Sequence, residues 1–150
     1  MALAIQVIDS QVFRDTLVTI PEVTALFEWT QVPGQYKIFW EHVDDPFPLP
    51  YISLNHMIGG RLEGTEISNQ YSDTIWRVVA HTANNKQAMA MANAISKLNK
   101  MAPVCTAFPG MCGITTIHEK MPIFDRYQVQ NAPLFMVGGM YRLRLNLGDN

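Results

Sequence analysis

The sequence predicts an α+β fold, with a mostly antiparallel sheet of four to five strands and two to three helices packed on one face. Apolar residues recur at helical spacing in residues 3–27 and 84–98, whereas the other segments alternate with the period of a strand. Because most consecutive strands are joined by loops rather than helices, they are predicted to be antiparallel neighbours. The length of 150 residues fits a single domain, residues 1–150.

Two helices are predicted near the N-terminus. The apolar spacing favours a helix over residues 10–18, which can extend back to residue 3, and Asp9 and Ser10 are both suitable N-cap residues. Pro21 suits the first turn of a short second helix. The buried stripe of that helix is predicted to comprise Val23, Leu26 and Phe27.

Two strands are predicted next, over residues 36–43 and 51–57. The segment between them contains three prolines at alternate positions, which favour an extended path. By alternation, apolar side chains share a face in each strand: Ile38 with Trp40, and Ile52 with Leu54. Gly59 and Gly60 are predicted to end the second strand and to open a long loop over residues 59–70.

The second half of the chain begins with a strand over residues 71–82 and the clearest amphipathic helix of the sequence. The segment Thr82-Ala83-Asn84-Asn85 offers helix caps, and Lys97 and Lys100 are predicted in the last helical turn, where the helix dipole favours cations. The apolar stripe of this helix is Ala88, Met91, Ala92, Ile95 and Leu98.

Shorter strands are predicted over residues 114–119 and 127–129, with an interruption at Met121-Pro122. A long last strand covers residues 134–147, in which Arg142 and Arg144 alternate with apolar residues. Gly138-Gly139 within it indicates a bulge or a close backbone approach.

The composition points to a partner rather than to nucleic acid or a membrane. Hydrophobic residues make up 48% of the chain and charged residues only 16%, against about 25% in typical domains. Such a low-charge chain is expected to be a subunit of an assembly. A net charge of −2 and a pI near 6.0 give no basic footprint for nucleic acid.

The sequence contains no run of apolar residues long enough for a membrane span, and its N-terminal residues do not resemble a signal peptide. The protein is therefore expected to begin in a reducing cytoplasm. Cys105 and Cys112 match no zinc motif and are expected to be reduced thiols, with a late disulfide as the alternative.

No catalytic, cofactor-binding or metal-binding residue is predicted from the sequence. The glycines at residues 59–64 are followed by no lysine of a phosphate-binding loop, and Glu63 would repel a phosphate. The acidic cluster of Glu41, Asp44 and Asp45 is typical of a solvated strand edge. The histidines His42, His56, His81 and His118 lie on separate predicted strands or strand ends, without helical metal-site spacing.

Arg142 and Arg144 are predicted to point to the same side of the last strand. Three interpretations remain open at this point. The two side chains can belong to a solvated sheet face, to a contact with an acidic neighbouring subunit, or to a channel that passes DNA.

The order of these elements resembles the tail terminator, or tail-completion, proteins of long-tailed bacteriophages and related gene-transfer particles. The similarity runs from about residue 5 to residue 147. The matching segments are Ile38-Phe39-Trp40, Leu49-Pro50-Tyr51-Ile52-Ser53-Leu54, Gly59-Gly60, Ile75-Trp76-Arg77-Val78-Val79-Ala80-His81-Thr82, the helix at residues 86–95, and Tyr141-Arg142-Leu143-Arg144-Leu145.

The resemblance implies a non-enzymatic virion protein, located in the tail or neck and assembled in the host cytoplasm. It implies a homo-oligomeric ring, typically hexameric, at the head-proximal end of the tail tube. The implied partners are the tail-tube protein and the head–tail connector or stopper, while DNA only passes through the channel. The ring would end tube polymerisation and join the tail to the head.

The predicted partner-contact loop comprises Gly59, Gly60, Arg61, Leu62, Glu63, Gly64 and Glu66. Two alternatives remain. The chain can be another neck or tail subunit, such as a head–tail stopper or a tail-tube protein. From a different class, it can be a small-molecule-binding α+β module or an enzyme with a polar cluster of Glu41, His42, Asp44 and His56.

Overall fold

The computed structural model describes residues 2–28, 34–40, 50–62, 69–104, 116–129 and 132–149. The helices are α1 (Ala2–Leu17), α2 (Pro21–Phe27) and α3 (Asn85–Ser96). The strands are β1 (Ile38–Trp40), β2 (Tyr51–Leu62), β3 (Asn69–Thr82), β4 (His118–Val129) and β5 (Ala132–Asp149).

The strands form one five-stranded sheet in the order β1-β2-β3-β5-β4. The short β1 is parallel to β2, with Ile38 opposite Ile52, and all other neighbours are antiparallel. The five strands and three helices of the described residues confirm the predicted α+β class with a mostly antiparallel sheet.

The core lies between the helices and one face of the sheet, here called the inner face. The Phe13 ring of α1 lies 6.1 Å from that of Trp76, and the Tyr141 hydroxyl donates to the Ile95 carbonyl oxygen of α3 at 3.2 Å. The buried inner-face residues include Ile38, Ile52, Leu54, Thr74, Trp76, Val78, Ala80, Thr82, Phe135, Val137, Tyr141 and Leu143. The predicted sharing of faces by Ile52 with Leu54 and by Tyr141 with Leu143 is thus confirmed.

Helix α1 begins earlier than residue 10 and contains Asp9 and Ser10 within its length. The two residues are therefore not N-caps, and Asp9 is fully buried. Its carboxyl group accepts a hydrogen bond from the Thr74 hydroxyl, which in turn accepts one from Trp76 Nε1 at 3.0 Å. This partner on β3 gives the Asp9 carboxyl a role that the local sequence does not reveal.

Helix α2 follows its prediction, with Pro21 in the first turn and both Val23 and Phe27 buried. Helix α3 begins after Asn84, whose side-chain oxygen accepts from the Gln87 amide at 2.8 Å. Lys97 and Lys100 lie beyond the end of α3, which corrects their predicted place in its last turn. Lys97 instead forms an ion pair with Glu22 of α2.

Strand β2 continues through Gly59 and Gly60 to Leu62, where the sequence predicted a loop. The register pairs Gly59 with Thr74 and Gly60 with Asp73, so β3 supplies a pairing strand for this segment. A register shift between His56 and Ile58 marks a bulge. A long partner strand can thus hold glycines in a ladder although glycine by itself disfavours one.

Strand β4 is one strand of 12 residues and not two short ones. It passes through Met121 and Pro122, with a register shift between Glu119 and Met121. Proline is tolerated here because β4 is at the edge of the sheet, where one side of the strand needs no ladder donor.

Several predicted features lie outside the described residues. They are the acidic cluster of Glu41, Asp44 and Asp45 with His42, the loop residues Glu63, Gly64 and Glu66, and the cysteines Cys105 and Cys112.

Candidate functional site

The face of the sheet opposite the helices, here called the outer face, is the main candidate surface. Helices α1 and α3 pack on the inner face and α2 packs against α3, so within the described ranges no helix covers the outer face. The outer face carries Phe39, Tyr51, Ser53, Asn55, Asp73, Ile75, Arg77, Val79, His81, His118, Met121, Ile123, Asp125, Met136, Met140, Arg142 and Arg144.

A cluster of charges occupies one part of this face. Arg142 Nε donates to Asp73 Oδ1 at 2.7 Å and its Nη2 donates to Oδ2, while Arg144 Nη2 reaches the same Oδ2 at 3.0 Å. The two guanidinium groups lower the pKa of Asp73 to about 2, with Arg142 as the larger cause. One carboxylate thus faces two arginines, which leaves one positive charge in excess.

Arg142 and Arg144 point to the same side of β5, as predicted, and Arg77 adds a third cation to the outer face. Their shared contact with Asp73 joins β5 to β3 within the chain. The outer face is therefore locally cationic in a protein whose net charge is −2.

A methionine patch lies beside the charge cluster. Met121 of β4 is opposite Met140 of β5, and Ile123 follows on the same side. Met121 is 51% exposed, while Met140 and Ile123 are half-buried. Methionine is a flexible, polarisable side chain that adapts to varied partners, so this patch suits a protein contact.

An aromatic group occupies the β1–β2 side of the outer face. The rings of Tyr51 and His81 stack with 4.5 Å between their centroids, and Phe39 lies 6.2 Å from Tyr51 edge to face. Ser53 Oγ is 2.9 Å from His81 Nε2. Their proximity cannot be predicted from the local sequence, because the residues belong to three strands.

The Ser53–His81 contact has the geometry of a nucleophile beside a base, but its electrostatics are unfavourable for catalysis. Burial, and to a smaller extent Arg77, lowers the pKa of His81 to about 4. A general base works best when its pKa is near the working pH, so His81 is too weak a base near pH 7 to activate Ser53 well. The contact is better explained as part of the packing of the outer face.

The three central strands continue beyond Thr74 as one ladder. Beyond Thr74, which contacts α1, the ladder of β2, β3 and β5 continues to Leu62, Asn69 and Asp149. Of the predicted partner-contact residues, Gly59, Gly60, Arg61 and Leu62 lie in this extension. They are strand residues and not loop residues.

The two edges of the sheet are β1 and β4. Strand β4 displays apolar side chains toward both sides, with Met121 51% exposed on the outer face and Phe124 54% exposed on the other. An edge strand presents backbone donors and acceptors that a neighbouring chain can pair.

The polar cluster of the small-molecule alternative is only partly described, since Glu41, His42 and Asp44 lie outside the described residues. His56 is on the inner-face side, with its ring 5.3 Å from that of Trp76. Among the described residues, no three His, Cys, Asp or Glu side chains lie close enough together to hold a metal ion. None of the described helices is long and apolar enough to cross a membrane.

Comparisons with known proteins give a likeness at the level of solved structures, where several chains match. No family model matches the sequence, and a search of curated proteins finds no match. The chain is similar to a solved chain described as "Virion of native gene transfer agent (GTA) particle". The identity is 16% and the TM-score 0.49, over 73% of this chain and 78% of the other. At this level, no conclusion about function follows.

Proposed function

We propose that this protein is a structural virion protein of a long-tailed bacteriophage or a related gene-transfer particle. It forms a ring, with six copies as the expected number, at the head-proximal end of the tail tube. The ring ends tube polymerisation and joins the tail to the head connector. It has no catalytic role in this proposal, and DNA only passes through its channel.

The observation that carries the proposal is the outer face, with its charge cluster and methionine patch beside the edge strand β4. A subunit of a closed ring contacts each neighbour through two different surfaces. The outer face, which no described helix covers, and the edge of β4 are two such surfaces, with Met121 51% exposed where they meet. The low charged fraction of 16% fits a chain whose surface is shared with partners.

The sequence resemblance gives this surface its specific interpretation. A tail terminator must touch its own copies, the tube below and the connector above. In the proposal, the outer face and β4 serve the ring. The extension of β2 and β3, with Gly59, Gly60, Arg61 and Leu62, leads toward a partner ring together with Glu63, Gly64 and Glu66.

Arg142 and Arg144 have a more limited role in this proposal than the sequence suggested. Because both bind Asp73, part of their charge is already compensated within the subunit. The excess positive charge suits an acidic group of the neighbouring subunit, and a channel-facing position would suit the phosphates of DNA.

The small-molecule alternative is less well supported. One described cavity, lined by residues of α1, β1 and β2, has a volume of about 180 Å³, whereas small-molecule sites usually occupy about 300–1,000 Å³. The remaining alternative, a tail-tube subunit, uses the same kinds of surface but stacks without limit.

Negative-stain electron microscopy of the purified protein, alone and mixed with tail tubes of its particle, tests the proposal. We expect closed single rings, or caps at one end of each tube. Met121→Glu should abolish the rings because it places a charge in the methionine patch. Met89→Glu is the matched control, since Met89 is also 51% exposed but lies on α3.

The outcomes separate the candidates. Long tubes formed by the protein alone would favour a tube subunit. A persistent monomer that binds neither tubes nor heads would contradict any tail or neck role. Equal ring formation by both methionine variants would show that the ring does not use the outer face.

A further inference from the structure

A cavity of about 180 Å³ lies between α1 and the edge of the sheet at β1 and β2. Ser10, Gln11 and Arg14 line it from α1, and Ile38, Trp40 and Leu54 line it from the strands. Gln11, Arg14 and Trp40 are half-buried, so the cavity is reached from the surface. It lies on the inner-face side, away from the methionine patch.

Trp40, which lines the cavity, carries a hydrogen-bond donor that lacks an acceptor in the described part of the chain. Trp40 Nε1 is buried and has no hydrogen-bond partner among the described residues. An indole N–H can only donate, so this group needs an acceptor that the described part of the chain does not supply. Buried polar atoms without partners are rare, and each calls for an explanation.

Arg14 adds a positive charge at the same cavity. Within the described residues its guanidinium forms no ion pair, although it offers five N–H donors and no acceptor. The carboxylate of the neighbouring Asp15 accepts a hydrogen bond from Gln11 Nε2, at 2.8 Å from its Oδ1. The cavity is therefore complementary to a group that is both anionic and an acceptor.

The size and walls of the cavity narrow the choice of occupant. A volume of about 180 Å³ is below the usual range of small-molecule sites, which begins at about 300 Å³. Ile38 and Leu54 provide apolar walls that a bare inorganic anion would not use. A single side chain with a short apolar stem and a carboxylate end satisfies both the walls and the donors.

We propose that this cavity receives the carboxylate side chain of a glutamate or aspartate from a partner polypeptide. Arg14 pairs with the carboxylate, Trp40 Nε1 donates to one of its oxygens, and Ile38 and Leu54 contact the methylene stem. The proposal stands on the cavity itself and does not depend on the ring. It adds an interaction site on the helix side of the sheet.

Nuclear magnetic resonance of the ¹⁵N-labelled protein near pH 7 tests it, with N-acetyl-glutamate amide as the probe and N-acetyl-glutamine amide as its uncharged match. The indole N–H signal of Trp40, assigned with Trp40→Phe, should shift saturably with the glutamate probe. Binding should weaken at least about tenfold for the glutamine probe and for Arg14→Gln, because each removes the charge-assisted contact.

Arg126→Gln is the matched control, since Arg126 lies on β4 at the opposite edge of the sheet, and it should bind like the unaltered protein. Several results would overturn the proposal. They are no shift at any soluble concentration of the glutamate probe, equal shifts with both probes, and unchanged binding by Arg14→Gln. An equal shift caused by inorganic phosphate would show a general anion site and would also overturn it.

Discussion

His81 is a half-buried histidine on a sheet face that no described helix covers. Its ring stacks on Tyr51 and its Nε2 contacts the Ser53 hydroxyl, so the fold holds it in a largely desolvated position. This burial lowers its pKa to about 4, below the value of 6.5 expected in the unfolded chain. The residue therefore links the stability of the protein to pH.

The sign of this linkage follows from proton binding. Between about pH 4 and 6.5 the unfolded chain binds the His81 proton more tightly than the folded protein. The contribution of the neutral ring is thus complete above about pH 6.5 and is lost as the pH falls toward 4. Allowing for its partial exposure, we expect a loss of about 1–2 kcal/mol.

His81→Gln should remove this part of the pH dependence, because glutamine can still bond to Ser53 but does not ionise. Urea unfolding near pH 7 and near pH 4.5 should give a smaller loss of stability for His81→Gln than for the unaltered protein. His118→Gln, on the exposed edge strand, is the control and should keep the full loss. Identical losses for all three proteins would contradict the prediction.

Asp9 illustrates why single residues are hard to interpret from sequence. Its chemistry fits an N-cap, but α1 extends to Ala2 and Asp9 is buried against Thr74. A cap is decided by its nearest neighbours in sequence, whereas this hydrogen bond joins residues 65 positions apart. The local sequence shows the helical periodicity of α1, but it does not show that Asp9 binds Thr74.

At the scale of elements, the pairing of β3 with β5 depends on Gly138. The prediction of a close backbone approach at Gly138-Gly139 is confirmed, because an added Cβ at Gly138 would lie 1.9 Å from the Val78 carbonyl oxygen. Gly138 also has φ of +154°, which side chains rarely allow. Residue 138 must therefore be glycine for β3 and β5, the two longest described strands, to pair this closely.

Gly138→Ala should therefore destabilise the protein by more than about 3 kcal/mol, or prevent folding, since the ladder must separate to admit the methyl group. Gly34→Ala is the control. Gly34 has φ of +82° but no atom within 4 Å of the added Cβ, and we expect a cost of about 1–2 kcal/mol from backbone strain alone. Thermal unfolding followed by circular dichroism compares the two. Equal melting temperatures for the two variants would contradict the prediction, because they would show that the close approach to Val78 adds no cost at Gly138.

Local patterns predicted the helices better than the strand ends. Helices α2 and α3 begin where Pro21 and Asn84 indicate, because helix starts are set by residues close in sequence. Strand β2 passes through Gly59-Gly60, and β4 passes through Pro122, against their local preferences. In both strands, pairing with the neighbouring strand outweighs the low strand preference of the glycines and the proline.

At the scale of the whole molecule, the proposed ring and its partner contacts use different parts of the sheet. If the outer face serves the ring while the β2–β3 connection serves a partner ring, the two functions should be separable. A change confined to the connection should leave folding and ring formation intact. It should abolish only the attachment to tubes or heads.

Replacing residues 63–68 with Asn-Gly tests this separation. The paired Leu62 and Tyr71 would then be joined by four residues, Asn-Gly followed by Asn69 and Gln70, a common length for hairpin loops. We expect a change in stability within about 1 kcal/mol, since loop closure depends weakly on length. We also expect rings that no longer bind tubes or heads in electron microscopy. Unfolding of the variant, or normal attachment, would contradict the proposed contact.

Local sequence patterns were enough to predict the α+β class, the three helices and the alternation that buries Ile52, Leu54, Tyr141 and Leu143. These features follow from periods of 3.6 and 2 residues, which are properties of local chain geometry. Long-range contacts in the folded protein set how far β2 and β4 extend, bring Arg142 and Arg144 to Asp73, and form the cavity beside Trp40. Each of these depends on residues far apart in the chain, and no local pattern specifies which distant strand or side chain will become the neighbour.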